Sequence, residues 1–219
     1  MRPKYPMLLD VRDRPIVIIG GGQVAARKAA GLREAGATRL RIVAPEFPGT
    51  FDESVQRVTE TYRPEHLDGA QLIFAATDRA EVNRAVVRDA RARGLFVCRA
   101  DADDDDPGDF ATPAQLRRGP VQVTVSTGSA ALAVLIRDGI AQRWDDAWTT
   151  LAEATATIRA AAHASERLGA DTRRKMFRTL ASSEAVEIVR SRGSDGLFRW
   201  LSERYPGWDQ SSADMPAET

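Results

Sequence analysis

Pro15-Ile16-Val17-Ile18-Ile19-Gly20-Gly21-Gly22-Gln23-Val24-Ala25-Ala26-Arg27-Lys28 is the stretch on which the fold turns. An unbroken apolar run rich in strand formers feeds a glycine turn, and a helical pattern begins at once. That order is what a dinucleotide site requires. Gly20 is expected to make the tight turn after the strand, and Gly22 to let the backbone approach a pyrophosphate. Ala25, in the third small position, would allow close helix–strand packing. The first amides of the helix, around Gln23 and Val24, then face the phosphates, where the helix dipole favours negative charge. The plain alternative is a tight turn in an α/β domain that holds no cofactor.

Downstream, the helix is expected to carry Val24, Ala25, Ala29 and Leu32 on one face and to end at Gly36. Leu40–Ala44 reads as the second strand, with Pro45 and Glu46 just past its carboxyl end. Counted from the glycine turn, Glu46 falls near where an acidic group would bond an adenosine ribose. A carboxylate there would repel a 2′-phosphate and so favours NAD over NADP, while a solvated loop glutamate is the other reading. A third strand is expected at 55–62, followed by a turn in which His66 reads as a surface residue. Leu72-Ile73-Phe74-Ala75-Ala76 is a buried-type strand ending in Thr77 and Asp78, before a helix at 80–93. Thr77 and Asp78 stand where open α/β sheets bind ligands, although Asp78 could equally be the N-cap of its helix. A fifth strand at 95–99 ends at Ala100-Asp101. Strands alternating with helices through short loops predict a parallel doubly wound sheet. The right-handed crossover rule then lines up the glycines, Glu46, Thr77 and Asp101 along one edge, with Asp101 over the nicotinamide end.

The composition is that of a folded protein, with length for a substantial core. Its 219 residues carry 31 basic and 31 acidic side chains, a net charge of zero that argues against a general nucleic-acid binder. A single Cys98 rules out a disulfide framework or a multi-cysteine metal site. No apolar run is long enough to span a membrane and the N-terminus lacks a signal-peptide core, which gives the expectation of a soluble cytoplasmic protein.

Past Asp101 the character changes. Asp103-Asp104-Asp105-Asp106-Pro107-Gly108 is an acidic loop, either a solvated turn or an attractor of metal. Arg117-Arg118-Gly119-Pro120 reads as a basic turn, and Val121–Val125 alternates as a strand ending in Ser126-Thr127-Gly128-Ser129. Hydroxyls before a helix usually cap it, and here they could also hold a substrate carboxylate. Leu132, Leu135, Ile136 and Ile140 make the apolar side of the next helix. From Trp144 to Tyr205 the chain is Ala- and Arg-rich and helical, with breaks near Gly169 and Gly193. Arg167, Arg173, Arg174, Lys175 and Arg178 form a basic cluster, either solvent-facing or a polyanion site. His163, among alanines, reads as structural.

Several of these blocks together resemble the precorrin-2 dehydrogenase / sirohydrochlorin ferrochelatase family of siroheme biosynthesis, the N-terminal module of multifunctional siroheme synthases. The matching pieces are Tyr5-Pro6-Met7-Leu8-Leu9, the glycine turn with Arg27-Lys28, and Val43-Ala44-Pro45-Glu46. Ala75-Ala76-Thr77-Asp78 with Val82-Asn83-Arg84 also matches, as do Phe110, Pro113-Ala114, Arg117-Arg118-Gly119-Pro120 and Ser126-Thr127-Gly128. The last two are the most specific. The resemblance implies an NAD-binding Rossmann domain at 1–113, a small α/β dimerisation region at 114–145 and a helical domain at 146–208, while the composition after Trp208 makes 209–219 a disordered tail. It implies a homodimer, a tetrapyrrole substrate (precorrin-2, then sirohydrochlorin), Asp101 as general base, and Fe²⁺ as the metal substrate of a second activity. It also gives Arg117, Arg118, Ser126, Thr127 and Gly128 a role in holding substrate carboxylates. Two departures stand out. The acidic loop is longer than expected, so Asp103 competes with Asp101, and the turn from Ser126 to Ala131 is shortened. A non-enzymatic NAD-sensing regulatory module is the rival from another class. It accounts for the glycine turn and Glu46 but not for the later blocks. A dehydrogenase of a small acid is the third reading.

Overall fold

The computed structural model describes residues 5–100, 106–165 and 167–208, and the chain divides into two compact units at Thr112/Pro113. The expectations for Asp101, for Asp103 to Asp105 of the acidic loop and for the 209–219 tail lie outside the described residues.

The first unit is a five-stranded, wholly parallel sheet in the order β3-β2-β1-β4-β5. Its strands are β1 (Ile16–Ile19), β2 (Leu40–Ala44), β3 (Gln56–Thr59), β4 (Leu72–Ala75) and β5 (Phe96–Arg99). This is the doubly wound arrangement expected of a Rossmann fold, in which successive strands run outward from β1 and then switch direction. All four residues of β1 and of β4 are buried, as strands covered on both faces must be. One face carries Ile16, Ile18, Leu40, Ile42 and Phe74, packed with Ala25 and Ala29 of α1 (Gln23–Glu34). The other carries Val17, Ile19, Val43, Ile73 and Val97, packed with Val86, Val87 and Ala90 of α2 (Ala80–Ala92).

The structure departs from these expectations at Val24, at the third strand and at His66. Val24 is 38% exposed and Ala26 takes its place in the buried face of α1. The third strand is only four residues long and largely solvated, as befits a sheet edge. His66 is also less exposed than expected. It lies in a 3₁₀ turn (Pro64–Leu67), where its Nδ1 accepts the Arg63 N–H at 3.0 Å and its Nε2 meets Glu60 at 3.1 Å.

The second unit begins with an antiparallel hairpin of β6 (Ala114–Arg118) and β7 (Val121–Val125). The basic stretch expected as a turn is therefore mostly strand. Only Gly119 and Pro120 form the two-residue connection, with glycine at its first position, as such hairpins favour. Four helices follow: α3 (Ala130–Gln142), α4 (Asp146–Ala164), α5 (Ala170–Leu180) and α6 (Ser183–Arg204). The breaks anticipated at two glycines are both present. Gly169 is the N-cap of α5, and α6 kinks at Gly193, where φ is +65°. Leu151, Ile158, Met176, Leu180, Leu197 and Leu201 form the core of α4 to α6, with Trp208 stacked on Phe198 at 6.0 Å.

Candidate functional site

The carboxyl ends of β1, β2 and β4 meet at one edge of the sheet, beside the point where strand order reverses. Open α/β sheets take ligands there, because the loops diverge and leave a crevice. Each of the three glycines after β1 meets a different steric demand. Gly20 has φ of +129°, and a side chain on it would collide with the backbone oxygen of Ala76 after β4. Gly21 has no room for a different reason: its Cβ would collide with the backbone oxygen of Glu46 after β2. Gly22 is unlike both, since a Cβ there would meet nothing within 4 Å. Two backbone bonds tie the turn to its neighbours, from Gly20 N–H to the Val43 oxygen and from Gly49 N–H to the Gly21 oxygen, each 2.9 Å.

This arrangement fits a dinucleotide phosphate. Gly22 is the N-cap of α1, contributes no side-chain hydrogen bond, and opens onto free space. The first amides of a helix lack intrahelical partners, and here no described side chain caps them. Gln23 and Val24, in the first turn, are exposed beside that space. Pro45 and Glu46 are exposed at the end of β2, and no described cation pairs with Glu46. The structure thus brings Gly20, Gly22, Gln23, Val24, Pro45 and Glu46 to one edge, together with Thr77 beyond β4.

Thr77 is bonded within its own turn. Its N–H donates to Asn83 Oδ1 at 3.1 Å, and its hydroxyl lies 2.7 Å from the same oxygen. Its carbonyl accepts from Asn83 Nδ2 at 2.9 Å. The hydroxyl also accepts the Arg79 N–H at 3.2 Å, which turns the chain into α2. The N-cap of α2 is accordingly Arg79, and the cap alternative weighed for Asp78 falls away. Asp78 is left exposed in the turn. Asn83 itself is fully buried, and single-residue reasoning gave it no role. Beyond its place in the Val82-Asn83-Arg84 block, its polarity within an otherwise apolar helical stripe is the signal, because buried amides are rarely left without a partner. Gly21 and Gly49 close the packing around the turn, a role that no local sequence signal marks.

Next to Thr77, the Ala100 N–H bonds to the Ala75 oxygen at 2.9 Å and so holds the end of β5 against β4. Asp101 follows at once in sequence. On the far side of the acidic loop, Arg91 of α2 pairs with Asp106, bonding its Oδ1 from Nη2 at 2.9 Å, and with Asp109 at 3.0 Å. That guanidinium holds the Asp106 carboxyl below the usual carboxylate range, and burial opposes it. Two further contacts tie the end of this unit to its sheet and first helix: Lys28 Nζ donates to Thr112 Oγ1 at 2.9 Å, and Phe110 packs edge-on against Phe74 with centroids 5.4 Å apart.

In the second unit, Arg117 and Arg118 are exposed on β6 and neither pairs with a described acid. Ser126, Thr127 and Gly128 lead from β7 into α3. Ser129 caps that helix, its Oγ accepting from Leu132 N at 3.4 Å. The Thr127 hydroxyl is turned onto Ser129, accepting its N–H at 3.1 Å. Part of the downstream basic cluster serves the fold instead of a ligand: Arg173 donates to the Leu168 oxygen at 2.6 Å and Arg174 pairs with Asp171. His163 rests against Phe177 with ring centroids 5.8 Å apart. Among the described residues no His, Cys, Asp or Glu cluster could hold a metal, and no helix is long and apolar enough to cross a membrane.

Comparison with known proteins agrees with this geometry. A family model described as putative NAD(P)-binding matches residues 7–114. A siroheme synthase 2 of Aeromonas hydrophila subsp. hydrophila is 34% identical over 215 residues, which cover 96% of this chain and 44% of that protein. A siroheme synthase of Methylobacillus flagellatus is 40% identical over 142 residues, 62% of this chain and 30% of its own. The chain therefore spans less than half the length of these curated relatives. Among solved structures, one titled SirC, precorrin-2 dehydrogenase superposes with a TM-score of 0.72 over 92% of this chain and 100% of that one. At 20% identity that likeness establishes the fold.

Proposed function

We propose that the chain is a member of the precorrin-2 dehydrogenase family that forms the N-terminal module of siroheme synthases, and that it oxidises precorrin-2 to sirohydrochlorin with NAD. The observation that carries this reading is the open, uncapped start of α1 over Gly22, within a chain whose similarity to a siroheme synthase runs through both units. NAD, when bound, supplies the acceptor for a hydride. The chain's own residues do the rest. The amides from Gly22 onward hold the phosphates, and Glu46 takes the ribose hydroxyls and disfavours a 2′-phosphate. Asp101, reached from the end of β5, accepts the proton that leaves as the macrocycle is oxidised. Arg117 and Arg118, exposed and without a described acid partner, bind substrate carboxylates, with Ser126, Thr127 and Gly128 beside the start of α3.

The same reading includes self-association. Leu132, Val134, Leu135 and Ile136 of α3 are 40–68% exposed and Trp148 of α4 is 50% exposed. The apolar side expected of this helix thus stays partly uncovered among the described residues, and a homodimer through the region at 114–145 supplies the cover. The sequence-derived division into 1–113, 114–145 and 146–208 belongs to this proposal, as does a cytoplasmic location.

The decisive experiment supplies precorrin-2 and NAD and follows the absorbance of sirohydrochlorin. Turnover that needs NAD and is lost in Asp101→Ala supports the reading. NAD binding without any tetrapyrrole binding or turnover defeats it in favour of a sensing module. Adding Fe²⁺ to sirohydrochlorin, with Asp101→Ala beside the parent, decides whether Fe²⁺ is a substrate of the same site.

A further inference from the structure

We propose that Asn83 is a positioning residue for the cofactor, acting through Thr77. It is a fully buried amide whose interactions with Thr77 involve that residue's N–H, hydroxyl and carbonyl. This inference rests on the NAD reading above and deepens it.

The chemistry of the pair is one-sided. Asn83 Oδ1 faces two donors of Thr77, the N–H at 3.1 Å and the hydroxyl at 2.7 Å, while Nδ2 gives its proton to the Thr77 carbonyl at 2.9 Å. A threonine hydroxyl has one proton to give. The positions open to it are Asn83 Oδ1 and the Arg79 oxygen at 3.1 Å, both within the protein. Thr77 thus has neither its N–H nor its hydroxyl proton to spare for a ligand. Its task is to stay where Asn83 puts it.

Where it is put matters because of its neighbour. The Ala76 oxygen, one residue back, lies so close to Gly20 that no side chain fits between them. Ala76 N–H in turn bonds the Ile19 oxygen at 2.8 Å, at the end of β1. The turn after β4 is therefore packed against the first glycine of the phosphate loop. A shift at Thr77 is transmitted to Gly20 through Ala76, and from there to the amides around Gly22. A network of buried hydrogen bonds gives this kind of rigidity when every member is satisfied. A ligand site depends on such support to keep its own geometry.

The variants follow from the bonding. Asn83→Asp keeps the shape but sets an oxygen where Nδ2 donates, against the Thr77 carbonyl. Asn83→Ala removes all three bonds. Thr77→Val removes only the hydroxyl and is the milder change if either Asn83 variant fails to fold. NAD affinity is measured by calorimetry on the full chain, and exchange of the Thr77 amide proton is measured without NAD. Asn83→Ala is expected to raise the Kd for NAD about tenfold and to speed Thr77 exchange by a similar factor, both through loss of the clamp. The double-mutant cycle of Thr77→Val with Asn83→Ala is expected to be strongly non-additive, because both changes act on one interaction. Additive losses would mean that Thr77 touches NAD itself and would overturn the proposal. So would an unchanged Kd in Asn83→Ala with the fold intact. A parent chain that binds no NAD at all overturns both this inference and the dehydrogenase reading, whereas a parent that binds NAD with indifferent variants overturns this one alone.

Discussion

Gly21 and Glu46 are in such close register that a single added Cβ on the glycine would strike the glutamate's backbone oxygen. The phosphate loop and the loop after β2 are therefore one packed body, further joined by the Gly49–Gly21 bond of 2.9 Å. The three glycines should then respond differently to alanine. Gly21→Ala forces the two loops apart and should cost about 1–3 kcal/mol of stability, as overpacking generally does. Gly22 has φ of −83°, which any residue adopts, and open space around it. Gly22→Ala should stay within about 1 kcal/mol of the parent in stability, the scale of an N-cap change. It should nonetheless weaken NAD at least tenfold, about 1.4 kcal/mol, because the new methyl occupies the phosphate's place. Thermal melts and NAD titrations on the pair of variants check this. Equal effects on both properties would sink the division of roles.

Glu46 sets the expected choice of cofactor. It stands exposed past the end of β2 with no described cation beside it, so its charge is available to a ribose. Glu46→Arg should reverse the preference, gaining for NADP and losing for NAD by roughly tenfold each, about 1.4 kcal/mol per cofactor. Competitive titration with the two nucleotides measures it, and a parent indifferent to the 2′-phosphate would remove Glu46 from the site.

The parts of this fold that a reader of sequence can recover are those whose signals are local. Ile16 to Ile19 is buried on both faces, so it shows as an unbroken apolar run, and the glycines and helix follow without a gap. Leu40–Ala44 was legible for the same reason. The hairpin strand β6 was not, because Leu116 is its only buried residue and two arginines sit beside it, which mimics a solvated turn. Asn83 was invisible as a functional residue because its meaning depends on a partner six positions back, brought near only by the turn into α2. The apolar side of α3 was legible as apolar. It stays partly exposed among the described residues, so no amphipathic pattern could say whether it faces a core or a second copy.

That uncovered side makes a prediction about assembly. Leu135 is 68% exposed, so a charge placed there disturbs no internal packing. Leu135→Glu should leave the helical content unchanged and cost the fold of the single chain no more than about 0.5 kcal/mol, as exposed substitutions usually do. It should convert a dimer to a monomer in sedimentation or light scattering. A parent that is monomeric at every concentration would refute the homodimer.

The ion pair between Arg91 and Asp106 should make the first unit sensitive to acid. The pair is partly exposed, 43% and 44% by side chain, so its worth at neutral pH is held by screening to about 0.5 kcal/mol. The sign follows from Asp106, whose carboxyl titrates lower in the folded chain than in the unfolded one because of Arg91, with the Gly108 amide assisting and burial opposing. The stabilisation is complete above the unfolded carboxylate value of about 3.9 and is lost as pH falls through the folded value. Arg91→Gln should thus be less stable than the parent at pH 7, and the gap should narrow on acidification below about pH 4. All of the chain's tryptophans lie at position 144 or later, in the second unit, so fluorescence would miss this change. Amide exchange along β5 is the right probe, because Asp109, the other partner of Arg91, accepts the Val97 N–H at 3.1 Å. Protection of Val97 that is equal in parent and Arg91→Gln at pH 7 would show that the pair does not hold the loop's return to the sheet. Protection that differs at pH 7 and converges in acid would tie the anchoring of that loop to one guanidinium.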